Sequence, residues 1–224
     1  MTNDATTAAT PINAVIFDCD GTLVDSELLN ARGVADLFAI DHGVGLDALA
    51  IEREFRGGKF EAMIDTLAAR HGVTVADDFT TRYREYMYDL FAKALKPMPG
   101  VRDAIEAIDL PKCVASSGPE KKLAVALEST DLARYFGELV FSAYTIGIWK
   151  PEPDLFFCAA AALDVPPAEC AVIEDSDAGV EAARRAGMRV FGYDPHGAIG
   201  EHPDAALTRF SDFRDLPDLL NRHR

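Results

Sequence analysis

Residues 12–17 read Ile-Asn-Ala-Val-Ile-Phe, and residues 18–21 follow at once as Asp-Cys-Asp-Gly. The first six form a short, β-branched-rich, nearly continuous apolar run. Such a run suits a central parallel strand covered on both faces. The abrupt change at Asp18 places two acids at the strand's carboxyl end. Outward from this point, comparable runs recur at 112–116 (KCVAS), 139–142 (LVFS), 171–173 (AVI) and 189–193 (RVFGY), with helical patterns between them. Strands alternating with helices predict an α/β fold built on a doubly wound, Rossmann-like parallel sheet. Pro153 opens an Ala-rich helix to about Leu163, with Pro166 and Pro167 beyond it. Asp177 is the expected N-cap of a helix running to Ala186, where Gly187 stops it, and Pro99-Gly100 starts another that reaches about Ile108.

The stretch 26–95 contains no convincing strand. Phe60, Met63, Ile64, Leu67 and Ala68 form one helical stripe, and Phe79, Tyr83, Tyr86, Met87 and Leu90 form a second. A βαβ crossover needs only a dozen or so residues, so this longer stretch is predicted to be an inserted, all-helical cap domain. The expected organisation is a disordered polar tail at 1–11, a catalytic core from 12–25 and 96–224, and the cap at 26–95.

The chain has 224 residues, 22 basic and 37 acidic, for a formal charge of −15. That charge opposes binding to nucleic acid or to an anionic membrane surface. The longest strongly apolar run, Leu155 to Leu163, is far short of the ~20 residues that span a bilayer. The first eleven residues have neither the basic start nor the apolar stretch of a secretory signal, so the expected location is the cytoplasm. Cys113, Cys158 and Cys170 lie in apolar runs, with the spacing of small core residues rather than of metal ligands.

In open α/β sheets, ligands bind outside the carboxyl ends of the strands. Those ends deliver Asp18 and Asp20, then Ser116, Ser117 and Gly118, then Glu174 and Asp175, and the loop after the third strand adds Lys150. Carboxylates gathered this closely repel one another unless protons or a cation neutralise them, and an all-oxygen set suits Mg2+.

The segment Asp18-Cys19-Asp20-Gly21-Thr22-Leu23-Val24-Asp25-Ser26-Glu27 resembles the first motif of the haloacid-dehalogenase-like hydrolases, in the form found in their phosphatase branch. Ser116 resembles the second motif, Lys150-Pro151 the third, and Glu174-Asp175-Ser176-x-x-Gly179 the fourth. The helical insert resembles the family's type-one cap. The resemblance implies Asp18 as a nucleophile that forms an aspartyl-phosphate, and Asp20 as general acid and then base. It implies the Asp18 carboxylate, the Asp20 backbone carbonyl and Asp175 as Mg2+ ligands, with Glu174 touching the metal directly or through water. Ser116 and Lys150 would grip the phosphoryl oxygens, and Gly21, Ser117 and Gly118 would bring backbone N–H groups to the phosphate. Cys19, facing the core between the two aspartates, is expected to be inert.

Within the family, Asp20 favours phosphoryl transfer over dehalogenation, because a halide needs no acid. The substrate implied is a small phosphorylated metabolite, specifically a sugar acid phosphate such as 6-phosphogluconate. Two residues depart from the pattern expected for that subgroup: Ser117 stands where asparagine is expected, and Glu174-Asp175 where two aspartates are. The alternatives are a β-phosphoglucomutase-like phosphomutase and a catalytically inactive binding or regulatory protein. Arg56-Gly57-Gly58-Lys59 is either a cap grip on the far end of an anionic substrate or a plain loop before a helix. Trp149 either packs its loop or faces a sugar. His42 and His71, each before a glycine, read as residues at helix ends. A monomer or small homo-oligomer is expected.

Overall fold

A computed structural model describes residues 10–56, 60–202 and 207–223. The expected tail (apart from Thr10 and Pro11) and Gly57, Gly58 and Lys59 lie outside the described residues. In chain order the elements begin with β1 (Ala14–Phe17), then helices α1 (Glu27–His42), α2 (Ala48–Phe55), α3 (Phe60–His71), α4 (Phe79–Ala94) and α5 (Val101–Ala107). There follow β2 (Lys112–Ser116), α6 (Glu120–Ser129), β3 (Val140–Ser142), α7 (Ala143–Ile146), α8 (Asp154–Ala162), β4 (Cys170–Glu174) and α9 (Asp177–Arg185). The chain ends with β5 (Arg189–Tyr193), β6 (Leu207–Phe210) and α10 (Leu216–Asn221).

The six strands form one parallel sheet in the order β3-β2-β1-β4-β5-β6. β1 lies inside the sheet, between β2 and β4, and all four of its residues are buried. Its side chains alternate between two cores. Val15 and Phe17 join one apolar cluster with Val114 and Ile173, whereas Ala14 and Ile16 join another with Cys113, Val172 and Val190. Burying such side chains stabilises by about 1.5–3 kcal/mol each, which is why a four-residue strand can anchor the sheet. Connections on the two sides of β1 diverge to β2 and β4, so a crevice opens at its carboxyl end.

Strand β6 was not expected from the sequence. Leu-Thr-Arg-Phe is short and half polar, as fits the sheet's edge, where one row of backbone groups faces away from the ladder. The N-cap of α9 is Ser176, whose hydroxyl accepts the Gly179 N–H, rather than Asp177, which is the first helical residue. Cys158 is exposed, contrary to the core position expected of it, because it falls on the outer face of α8; Cys19, Cys113 and Cys170 are buried. His42 and His71 end α1 and α3, as expected, and Gly43 and Gly72 after them take the left-handed conformation.

Helices α1–α4 gather around a third apolar cluster of Val34, Phe38, Ile64, Leu67 and Phe79. Helix α4 serves both layers: Phe79 belongs to that cluster, whereas Met87 and Phe91 belong to the cluster beneath the sheet. The chain enters and leaves the helical segment side by side. Asp25 N–H donates to the Lys96 carbonyl at 2.9 Å, and Met98 N–H donates to the Leu23 carbonyl at 2.9 Å. Among the described residues, no helix is long and apolar enough to cross a membrane.

Candidate active site

β1 delivers Asp18 and Asp20 to the crevice, β2 delivers Ser116, β4 delivers Glu174 and Asp175, and the loop before α8 delivers Lys150. A cavity of about 1090 Å³ opens there, lined by Asp18, Asp20, Ser116, Lys150 and Asp175, with Arg56 of the helical segment across from them. Gly21 and Ser117 also face it, whereas Gly118 shapes the loop from behind: its N–H donates to Ser116 Oγ at 3.1 Å, and its carbonyl accepts from Ser142 Oγ at 2.7 Å.

Lys150 is the charge hub. Its Nζ donates to Asp18 Oδ1 at 2.5 Å, Glu174 Oε1 at 2.6 Å and the Ala115 carbonyl at 3.0 Å. Burial would lower the lysine, but the Asp18 and Glu174 carboxylates outweigh it and hold the ammonium above its usual range. Glu174 is fully buried, and its other oxygen accepts the Asp175 N–H, the Ser176 N–H and the Ser176 hydroxyl. Four donors thus hold this carboxylate, one on Oε1 and three on Oε2.

The remaining acids are not matched. Burial pushes the Asp18 carboxyl up to about 7, with Lys150 pulling against it and the Glu174 charge adding to it. Burial and then the charges of Glu174 and Asp18 hold Asp175 well above the carboxylate range, and a 3.1 Å hydrogen bond from Thr22 only partly offsets them. Oxygen atoms of Asp18, Glu174 and Asp175 lie within 4.8 Å of one another. One ammonium against three carboxylates leaves the cluster short of positive charge, and the donors are all hard oxygens. A divalent cation of the Mg2+ type fits both deficits.

Two glycines make this packing geometrically possible. A Cβ on Gly179 would stand 1.8 Å from the Glu174 carboxyl carbon. A Cβ on Gly21, at φ +76°, would stand 2.0 Å from Asp175 Oδ2. Backbone at these points must pass where only hydrogen fits.

Asp20 is held separately. Burial alone would raise its pKa, yet the Lys122 ammonium at 2.8 Å and the Ser26 hydroxyl at 2.7 Å bring it below the usual value. Neither partner was singled out from the sequence. Lys122 sits in a Glu-Lys-Lys run that reads as a solvated helix start, and the only available signal was its place one turn into the helix that follows Ser116. Arg56 is paired with Glu52 on α2. Trp149 stands edge-on to Tyr144 at 5.3 Å and does not line the cavity, which favours its packing role. Burial holds the Cys19 thiol far above its ordinary value, so it stays protonated and unreactive.

A parallel sheet with a carboxylate cluster and a lysine at its topological switch point can hold a divalent cation beside an anionic group. A family model for haloacid dehalogenase-like hydrolases matches residues 12–187, and the chain belongs to that family, as one of its phosphatases. It is 38% identical to the 6-phosphogluconate phosphatase of Escherichia coli strain K12, over 93% of this chain and 94% of that protein. It is 31% identical to a phosphorylated carbohydrates phosphatase of Thermotoga maritima, over 81% of this chain and 85% of that one. Among solved structures, a putative β-phosphoglucomutase from Thermotoga maritima superposes with a TM-score of 0.76 at 26% identity, covering 94% of this chain and 99% of that one.

Proposed function

We propose that this phosphatase is Mg2+-dependent and hydrolyses small sugar phosphates, with a sugar acid phosphate such as 6-phosphogluconate as the preferred substrate. The observation that carries the reaction is the buried Asp18–Lys150–Glu174 contact, with Asp175 beside it, in the wall of one cavity. The substrate reading is supported by likeness to the bacterial phosphatase that bears that name.

In this reading Asp18 and Asp175 would ligate the metal with the Asp20 backbone carbonyl, and Glu174, held by Lys150 on one oxygen and by three donors on the other, would act through Lys150 and through water. The bound cation would hold nucleophile and phosphate together against their repulsion. Asp18 attacks phosphorus in line with the leaving oxygen and becomes an aspartyl-phosphate, so one difficult hydrolysis becomes two easier displacements. Lys150 and Ser116 hold the phosphoryl oxygens, and the lysine offsets charge in the transition state. Asp20 gives a proton to the leaving alkoxide and later takes one from the attacking water. Gly21, Ser117 and Gly118 shape the phosphate loop. Residues 26–95 act as a cap that shelters the reaction from bulk water, and Arg56 meets the far end of the substrate from it.

The test is a phosphate-release screen over sugar phosphates, sugar acid phosphates, phosphoglycolate and nucleotides. Release should require Mg2+, stop with EDTA and vanish in Asp18→Asn; full activity in that variant would refute the nucleophile. Conversion of a sugar phosphate into its isomer with little free phosphate would instead identify a mutase, the reading that the Thermotoga structural neighbour's name favours.

A further inference from the structure

Lys122 and Lys121 are neighbours in the first turn of α6, yet they are used differently. Lys121 reaches out to Glu85 at 3.1 Å and is 60% exposed, an ordinary surface pair. Lys122 turns inward. Only a fifth of its side chain is exposed, its Nζ lies 5.7 Å from the centre of the buried Phe91 ring on α4, and it donates to Asp20 Oδ2 at 2.8 Å. The other oxygen, Oδ1, accepts from Ser26 at 2.7 Å. A charged head is drawn into such a place only when a partner compensates its lost hydration. One donor on each carboxylate oxygen fixes the plane of the group, because turning it about Cβ–Cγ would break both contacts.

We propose that Lys122 is a positioning residue for phosphoryl transfer: it clamps the Asp20 carboxylate through Oδ2 while Ser26 holds Oδ1, and so sets the direction in which Asp20 exchanges protons. The proposal rests on Asp20 acting as acid and base. In the first displacement the Asp18–phosphorus bond forms, the ester P–O bond breaks, and Asp20, an ion-paired carboxylate in the resting site, relays a proton taken up from solvent to the departing oxygen. In the second, the oxygen of water bonds to phosphorus, the Asp18–phosphorus bond breaks, and Asp20 receives the proton that water gives up. Lys122 transfers nothing; it holds the carboxylate in line through both steps. The end of β2 and the helix after it thereby serve two ends of the reaction, with Ser116 at the phosphate and Lys122 behind the acid.

The experiment measures kcat and KM for Lys122→Met, Lys122→Arg and Asp20→Asn on p-nitrophenyl phosphate and on phenyl phosphate, whose poorer leaving group depends more on protonation. General acid–base catalysis contributes ~10²–10⁴-fold, and misplacing a group by an ångström costs ~10²-fold. Lys122→Met should therefore lose about 10- to 100-fold in kcat on phenyl phosphate, several-fold less on the nitrophenyl ester, with KM unchanged. Lys122→Arg should recover part of the loss. The ratio of the two kcat values within one preparation cancels any misfolded fraction. An unchanged ratio in Lys122→Met, beside a changed one in Asp20→Asn, overturns the positioning role alone. Higher KM for both esters with kcat intact would make Lys122 a phosphate grip and equally overturn it. An unchanged ratio in Asp20→Asn would refute the acid–base reading itself.

Discussion

Removing the Asp18 carboxylate should make the metal-free protein more stable. Asp18 is buried, and its pKa stands at about 7 against 3.8 for a free carboxyl, chiefly through burial, with Glu174 adding to the rise and Lys150 opposing it. The folded state therefore holds a proton that the unfolded chain releases near pH 4. Below both values the two states are equally protonated and the stabilisation is fully present. As pH rises toward 7 it is lost, at ~1.4 kcal/mol per pH unit. The gap of about three pH units makes the total loss about 4 kcal/mol at most. Asparagine has no proton to lose, and Lys150 keeps Glu174 and the Ala115 carbonyl as partners in the variant, so no ammonium is orphaned. In EDTA at pH 8, Asp18→Asn should exceed the unaltered protein by up to about 4 kcal/mol in urea denaturation. For a chain of this size that is roughly 8–16 °C in Tm. At pH 4 the two should converge. Adding Mg2+ should raise the unaltered protein far more than the variant. An asparagine variant that is less stable at pH 8, or that shows the same pH slope, would refute the account of the cluster as an unneutralised load.

Two further outcomes follow from packing and exposure. Gly179→Ala should displace Glu174, since the new methyl would overlap its carboxyl group; a loss of ~1–3 kcal/mol or more in thermal melting, together with loss of turnover, is expected. In the native protein a thiol reagent such as DTNB should label one cysteine quickly, Cys158. The buried Cys19, Cys113 and Cys170, whose pKa values burial raises, should react only on unfolding; rapid labelling of two or more would contradict the packing.

The sheet was legible because its chemistry is local. A strand buried on both faces must be apolar almost throughout, and INAVIF, KCVAS and RVFGY announce that without reference to anything distant. The edge strand β6 escaped because Leu-Thr-Arg-Phe faces solvent in part and lacks that signature. Strand-end position likewise exposed Asp18, Ser116, Lys150, Glu174 and Asp175, which the fold gathers from segments far apart in the chain. Lys122 and Ser26 stayed hidden for the opposite reason: what distinguishes them is direction, and a lysine turned inward has the same letters around it as one turned outward. Cys158 misled in a related way, since an Ala-rich helix apolar on every side gives no clue to which face meets water.

The paired crossings at Asp25–Lys96 and Leu23–Met98 have a consequence for how this molecule can be rebuilt. Because departure and return lie next to each other, the sheet experiences everything between them as one short loop, whatever its length. Closing a longer loop adds little entropy, and insertions whose ends meet are tolerated by a host that folds around them. The helical segment is thus an insertion that the sheet carries at one point, tied back to the core by Met87 and Phe91 of α4. An exchange between these two seams should keep the sheet and its carboxylates in place only if it retains Ser26, which holds Asp20, and the Met87 and Phe91 contacts of α4.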